Sequence, residues 1–325
     1  MTALVEVEPA RWDDLLRQAG VTDVYASHGF VAASAALVDA EPVLLHLPGD
    51  VVFPVLVRSD PCDVVSPYGY GGPVGTGAAP WEEFGRAYAA WCAERAVLTS
   101  FVVFHPLYGN DARAEELGFR RVPLGGTVAW RLAGDLRERM HRHHRRMVRR
   151  AEGAGLVASV EVAPADLDEF VGLYLDAMRR LDPSPFYLFG PDYWAALLRD
   201  VPLVRVDVRD GDELVASVLG MGVAPWLHYH LGASTAEGRG SGASHLALTT
   251  LAEWGRDHGF ETLHLGGGVG GRADSLLEYK QRFAPDGLIA SATGRAVHDR
   301  DAYARLTGGD GIDWEGFFPA YRASY

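Results

Sequence analysis

Apolar positions along the chain switch between two spacings. Trp81, Phe84, Tyr88 and Trp91 recur three and four apart and predict an amphipathic core helix over 79–97. Shorter runs read as strands at 43–47 and 51–58, turning at Pro48-Gly49-Asp50, and again at 100–105 and 127–132. Short helices are predicted at 9–19, from Trp12, Leu15 and Leu16, and at 110–117, closed by Gly118. From Leu156 the same grammar starts again. A strand over 156–162 leads to helices over 165–181 and 191–199. Strands follow at 203–209, 214–223 and 226–231, with Asp210-Gly211-Asp212 as a turn. A long helix over 243–258 precedes a short alternating strand over 262–265, in which Leu263 and Leu265 share one face and His264 takes the other. A last helix starts near Asp274 or Ser275, both good N-caps, and carries Leu276, Leu277, Tyr279 and Lys280.

This order predicts an α/β fold (α+β mixed sheet) with helices packed on the sheet, laid out twice. The expected domains are 1–135 with 300–325, and 136–299, the second entered through a basic helix over 135–155. The tail around Trp314, Phe317 and Phe318 is aromatic enough to require burial and is expected to pack on the first domain.

With 325 residues, 48% hydrophobic and 22% charged, the chain reads as an ordinary globular protein with room for two domains. No apolar run reaches membrane-spanning length, and the start, M-T-A-L-V-E-V-E-P, has no signal-peptide pattern. Cys62 and Cys92 form neither a ligand pattern nor a disulfide framework, so a cytoplasmic location is expected. The net charge of −13 argues against a general nucleic-acid binder. The charge is uneven, however. Residues 135–150 hold seven arginines against Asp135 and Glu138. Arg142, Arg145, Arg146 and Arg149 are therefore candidate phosphate contacts, the plain alternative being a solvated arginine face. His141, His143 and His144 lie in the same stretch, but successive helix positions do not converge on one ion, and no metal is expected.

Two stretches carry most of the candidate chemistry. Residues 63–75, D-V-V-S-P-Y-G-Y-G-G-P-V-G, are too rich in glycine and proline for regular structure, yet present Tyr68 and Tyr70. Residues 261–283 join strand 262–265, a glycine-dense turn and the helix bearing Lys280. Lys280 is the chain's one lysine; the other 29 basic side chains are arginine. Where arginine serves as the generic cation, the retained lysine points to a need for a compact ammonium. Alternation in strand 226–231 places His228 and His230 on one face, a pair able to orient an amine or accept its proton. Tyr187, in a proline-framed segment, is a candidate pocket cap.

The chain resembles the FemABX family of aminoacyl-tRNA-dependent aminoacyltransferases. Five stretches carry the resemblance: 66–73 (S-P-Y-G-Y-G-G-P), 142–156 (R-H-H-R-R-M-V-R-R-A-E-G-A-G-L), 184–189 (S-P-F-Y-L-F), 228–234 (H-Y-H-L-G-A-S) and 264–283 (H-L-G-G-G-V-G to S-L-L-E-Y-K-Q-R-F). The resemblance implies two tandem GNAT-like acyltransferase domains. It also implies aminoacyl-tRNA as co-substrate without a further cofactor, and an amine acceptor such as a peptidoglycan precursor or a specialised peptide or nucleoside metabolite. It places Lys280, in the family's Y/F-K motif, beside the oxyanion; His230, from the strand reading above, is the second catalytic candidate. Tyr187, Tyr68, Tyr70, His228, Ser234, Gly267, Arg142, Arg145 and Arg146 become substrate contacts, with residues 66–73 on the acceptor side. Acyl-CoA stays open as donor, since Arg239, Gly242 and Ser244 form a near match to the GNAT pyrophosphate loop. So does a non-catalytic binding module on the same scaffold. The sequence does not specify the oligomeric state.

Overall fold

In a computed structural model that describes residues 3–48, 51–75, 79–180 and 185–323, the apolar spacings resolve into thirteen strands and eleven α-helices among the described residues. In chain order they are β1 (Val5–Glu6), α1 (Trp12–Gln18), α2 (His28–Ala35), β2 (Ala40–Leu47), β3 (Val51–Ser59), β4 (Cys62–Val65), β5 (Val74–Gly75), α3 (Trp81–Glu94) and β6 (Thr99–Val103). Next come β7 (Arg120–Arg131), α4 (Leu136–Arg139), α5 (Arg142–Gly153), β8 (Val157–Val162), α6 (Asp168–Arg179), α7 (Pro191–Asp200), β9 (Leu203–Asp210), β10 (Glu213–Val223) and β11 (Trp226–Ser234). The remainder are α8 (Ala236–Ser241), α9 (Ala243–Asp257), β12 (Thr262–Gly267), α10 (Ser275–Gln281), β13 (Leu288–Val297) and α11 (Arg300–Thr307). The predicted turn at Gly49-Asp50, the helix end at Leu181 and Ser184 lie outside the described residues. No helix among the described residues is long and apolar enough to cross a membrane.

The chain forms two units, residues 1–124 with 290–325 and residues 125–289. These limits differ from the expected 135/136 and 299/300 because strand pairing decides them. Thr127–Arg131 of β7 pair with β12, which draws them into the second unit. Thr293–Val297 of β13 pair with β6 and belong to the first.

In the first unit the strand order is β1-β2-β3-β4-β6-β13, with β4 and β6 parallel and β5 attached to β3. The apolar stripe of α3 is buried as its spacing requires, Phe84 and Tyr88 packing on Phe53. The aromatic tail is held in this unit. Phe318 packs with Leu98 and Tyr303. Tyr321 and Arg322 donate to the fully buried Asp63 carboxylate at 3.0 and 3.1 Å, and Arg58 takes its other oxygen. Three donors thus converge, satisfying a carboxylate that would be costly to bury alone.

In the second unit the order is β7-β12-β11-β10-β9-β8, antiparallel except between β11 and β12. Helix α9 packs across β8 to β12, and α6 packs on β10 and β11. The core gathers Trp130, Val206, Leu251, Leu263 and Phe283. The basic segment is not one helix. Met140 and His141 are extended, with ψ near 154° and 140°, and divide it into α4 and α5. Asp135 caps α4, His141 caps α5, and Met140 turns into the core. Helix α5 then buries His144, Val148 and Ala151, spaced four and three apart, and leaves its arginines outside.

Candidate functional site

Strands β11 and β12 part company partway along. Their parallel pairing covers Trp226–His228 against Thr262–His264 and stops, while β11 continues to Ser234 and β12 to Gly267. Each strand is irregular where they separate. On β11, Leu219 of β10 faces Leu231 and Gly220 faces Tyr229, so His230 is an extra residue. On β12 the register against β7 shifts between His264 and Gly266. Bulges bend a strand and re-aim its side chains, and here two of them open a wedge between parallel neighbours.

Lys280 of α10 reaches into that wedge. Its Nζ donates to the Gly267 carbonyl at 2.7 Å and lies 5.6 Å from the Tyr229 ring centroid, so it touches one residue from each diverging strand. The side chain is 8% exposed. Burial pulls its ammonium down to about 8, opposed by the Asp274 carboxylate. At neutral pH most of the population still carries the charge, and the Tyr229 face favours it. The helix beneath is fixed from its first turn. Asp274 accepts from Leu277 N at 2.9 Å and Val269 N at 2.8 Å. Gly268 lies against the same carboxylate, where a Cβ would collide with Asp274 and the Arg272 carbonyl. Leu277 anchors the helix in the core.

The bulge also undoes the expected pairing of His228 and His230 on one face, because an extra residue breaks strict alternation. His228 is fully buried, its Nδ1 3.4 Å from His264 Nδ1. His230 instead makes a 2.7 Å hydrogen bond with the Tyr193 hydroxyl, and burial lowers its imidazolium to about 3. It is neutral at physiological pH, in the protonation state of a proton acceptor. Gly267 meets Lys280 through its carbonyl, and the Ser234 carbonyl accepts from Arg239 at 3.2 Å. Tyr187 is half-buried in a short 3₁₀ turn and accepts from Tyr174 through its carbonyl at 2.9 Å. In the first unit, Tyr68 is half-buried, and Tyr70 packs edge-on against Tyr25 and His105. Sequence reasoning missed Tyr229 and Tyr193. Tyr229 was within reach of it, as the residue between two singled-out histidines. Tyr193 sits at a core position of α7 and gave no signal.

On α5, Arg142, Arg146 and Arg149 are exposed and Arg145 half-buried. None of the four pairs with a carboxylate among the described residues. Arg145 donates to the Glu138 carbonyl, and Arg146 approaches His143 Nδ1 at 3.4 Å. Nearby Arg137 is clamped by Glu253 and Glu152, so its charge is spent internally. In the acyl-CoA loop candidate, Arg239 is exposed and Ser244 half-buried in the first turn of α9. Gly242 precedes that helix at φ 93°, and a Cβ there would collide with the Met147 carbonyl of α5. Part of the α9 N-terminus is therefore packed by protein.

Residues 138–281 match the acetyltransferase (GNAT) domain family. No curated protein sequence matches the chain. Among solved structures, FemX is similar at a TM-score of 0.64 and 13% identity, over 94% of this chain and 99% of that one. L-PGS from Bacillus licheniformis gives 0.60 and 15%, over 90% and 92%. A tandem GNAT protein from the clavulanic acid biosynthesis pathway gives 0.58 and 12%, over 92% and 99%. At such identities the likeness is one of fold. The chain has a FemABX-like tandem GNAT architecture.

Proposed function

We propose that this tandem GNAT-fold chain is an acyltransferase that forms an amide bond by moving an aminoacyl group from aminoacyl-tRNA to an amine acceptor. The observation that carries the reading is the chain's single lysine, buried as an ammonium in the wedge between β11 and β12. A neutral amine attacks the ester carbonyl, and negative charge collects on the carbonyl oxygen. A compact cation held in a dry site stabilises that oxyanion far more than water would. The tetrahedral intermediate then collapses. The C–O ester bond breaks, and the departing ribose hydroxyl takes up the proton that the amine gives away. Lys280 neither attacks nor transfers a proton. His230, neutral and beside Tyr193, is proposed to orient the incoming amine. Tyr187, His228, Ser234 and Gly267 are proposed substrate contacts, Tyr68 and Tyr70 acceptor contacts, and the α5 arginines contacts to tRNA phosphates. The proposed acceptor is a peptidoglycan precursor, or a specialised peptide or nucleoside metabolite.

Acyl-CoA is the second reading of the donor, favoured by the GNAT domain match and by Arg239, Gly242 and Ser244 ahead of α9. The packing of Gly242 on Met147 counts against a pyrophosphate seated there. A donor test separates the two. Purified protein receives radiolabelled aminoacyl-tRNAs, with host extract as acceptor source, beside a parallel labelled acetyl-CoA reaction. The expected result is RNase-sensitive transfer of amino-acid label to a small molecule. Label passing from acetyl-CoA alone would overturn the aminoacyl reading.

A further inference from the structure

The imidazoles dismissed on helix spacing acquire a third partner in the fold. His144 on α5 is 1% exposed, and His245 on α9 is 9% exposed, their rings edge-on at a centroid distance of 4.4 Å. His143 completes the group, its ring 5.8 Å from His144 and 6.1 Å from His245. The candidate ligand atoms of the three all lie within 4.8 Å of one another.

The hydrogen bonding of His144 matters more than the spacing. Its Nε2 lies 2.9 Å from the Tyr279 carbonyl, which can only accept, so Nε2 carries the proton and Nδ1 holds the lone pair. That Nδ1 is buried without a hydrogen-bond partner. Both ring nitrogens of His245 and the Tyr279 hydroxyl are buried and unpartnered as well. Several unsatisfied polar atoms in one place are expensive in a folded protein and call for an occupant. A backbone carbonyl that fixes one imidazole nitrogen as donor and turns the other inward is the usual support of a metal-ligating histidine.

We propose that His143, His144 and His245 bind a borderline divalent transition metal, zinc-like in preference, bridging α5 and α9. Three imidazoles without thiolate or carboxylate suit such ions and not magnesium or calcium. Zinc–nitrogen bonds of about 2.0–2.1 Å in a tetrahedron place the ligand atoms about 3.4 Å apart. With His144 held by the Tyr279 carbonyl, His143, the least buried of the three, is the ligand that has to move to reach that distance. The fourth position belongs to water or an anion. Because the supporting carbonyl is that of Tyr279, the ion also braces the residue next to Lys280.

Chelator-stripped protein titrated with ZnCl₂ by calorimetry tests the site, and Co²⁺ substitution supplies a second readout. One equivalent is expected to bind, with the visible bands of tetrahedral Co²⁺ appearing. His143→Ala and His245→Asn are each expected to weaken binding by at least about tenfold and to abolish those bands. The half-exposed His143 makes the first variant safe for folding. Failure of the wild-type protein to bind zinc, or full-strength binding in His143→Ala, overturns the proposal. The second result would assign the ion to surface histidines such as His141 or His258.

Discussion

A lysine ammonium held near pH 8 makes the roles of Lys280 separable by titration. An electrostatic stabiliser works while charged, so transfer is expected to fall as pH rises through about 8. A lysine acting as general base would do the reverse, becoming competent only as it loses its proton. The pH profile of single-turnover transfer, taken with saturating donor, distinguishes the two; a rate that climbs through that range contradicts the oxyanion role. The position of Lys280 was legible because composition singled it out, one lysine among 29 arginines. Its surroundings were not. That Tyr229 faces the ammonium, and that His230 leaves His228 to bond Tyr193, follow from one extra residue in β11. Alternation arguments assume there is none.

Among the elements, α5 combines the steadiest prediction with the least expected geometry. Its arginines were evident from composition. The break at Met140 and His141 was not, because nothing in helix propensity forbids continuing through methionine and histidine; burial of Met140 in the core decides it. Arg142, Arg145 and Arg146, like Arg149, pair with no carboxylate among the described residues and are available charges on this helix. Reversing all three to glutamate is expected to weaken binding of aminoacyl-tRNA. It is also expected to reduce the slope of log affinity against log salt by about 2. Binding unchanged at low salt would remove α5 from the donor interface. Long periodic elements such as α3 and α9 were predicted within a few residues. Helix α8 and strand β13 went unread. The first is a six-residue helix built around Gly238 and Gly240, and the second alternates weakly through alanines.

At the scale of the molecule, the repeated order of elements was enough to expect a tandem architecture. The limits of the two units were not readable, because β7 and β13 change unit partway along, and only strand partners reveal where. Fold similarity extends along most of the chain, whereas the proposed chemistry lies where β11 and β12 separate. The buried lysine there has a cost to the whole protein. Its pKa of about 8 lies below the roughly 10.4 of an unfolded chain, so between those values the unfolded state holds more protons. The destabilisation is complete below pH 8 and is relieved as pH rises toward 10; at neutral pH it amounts to roughly 2–4 kcal/mol. A residue kept at such a cost is expected to be functional. The most direct test is therefore Lys280→Met, with single-turnover transfer from aminoacyl-tRNA and thermal unfolding measured on the same preparation. The prediction is a loss of about 10²–10³-fold in rate, with a melting temperature equal to or above that of the wild-type protein. Transfer at the wild-type rate in a folded Lys280→Met protein would contradict it.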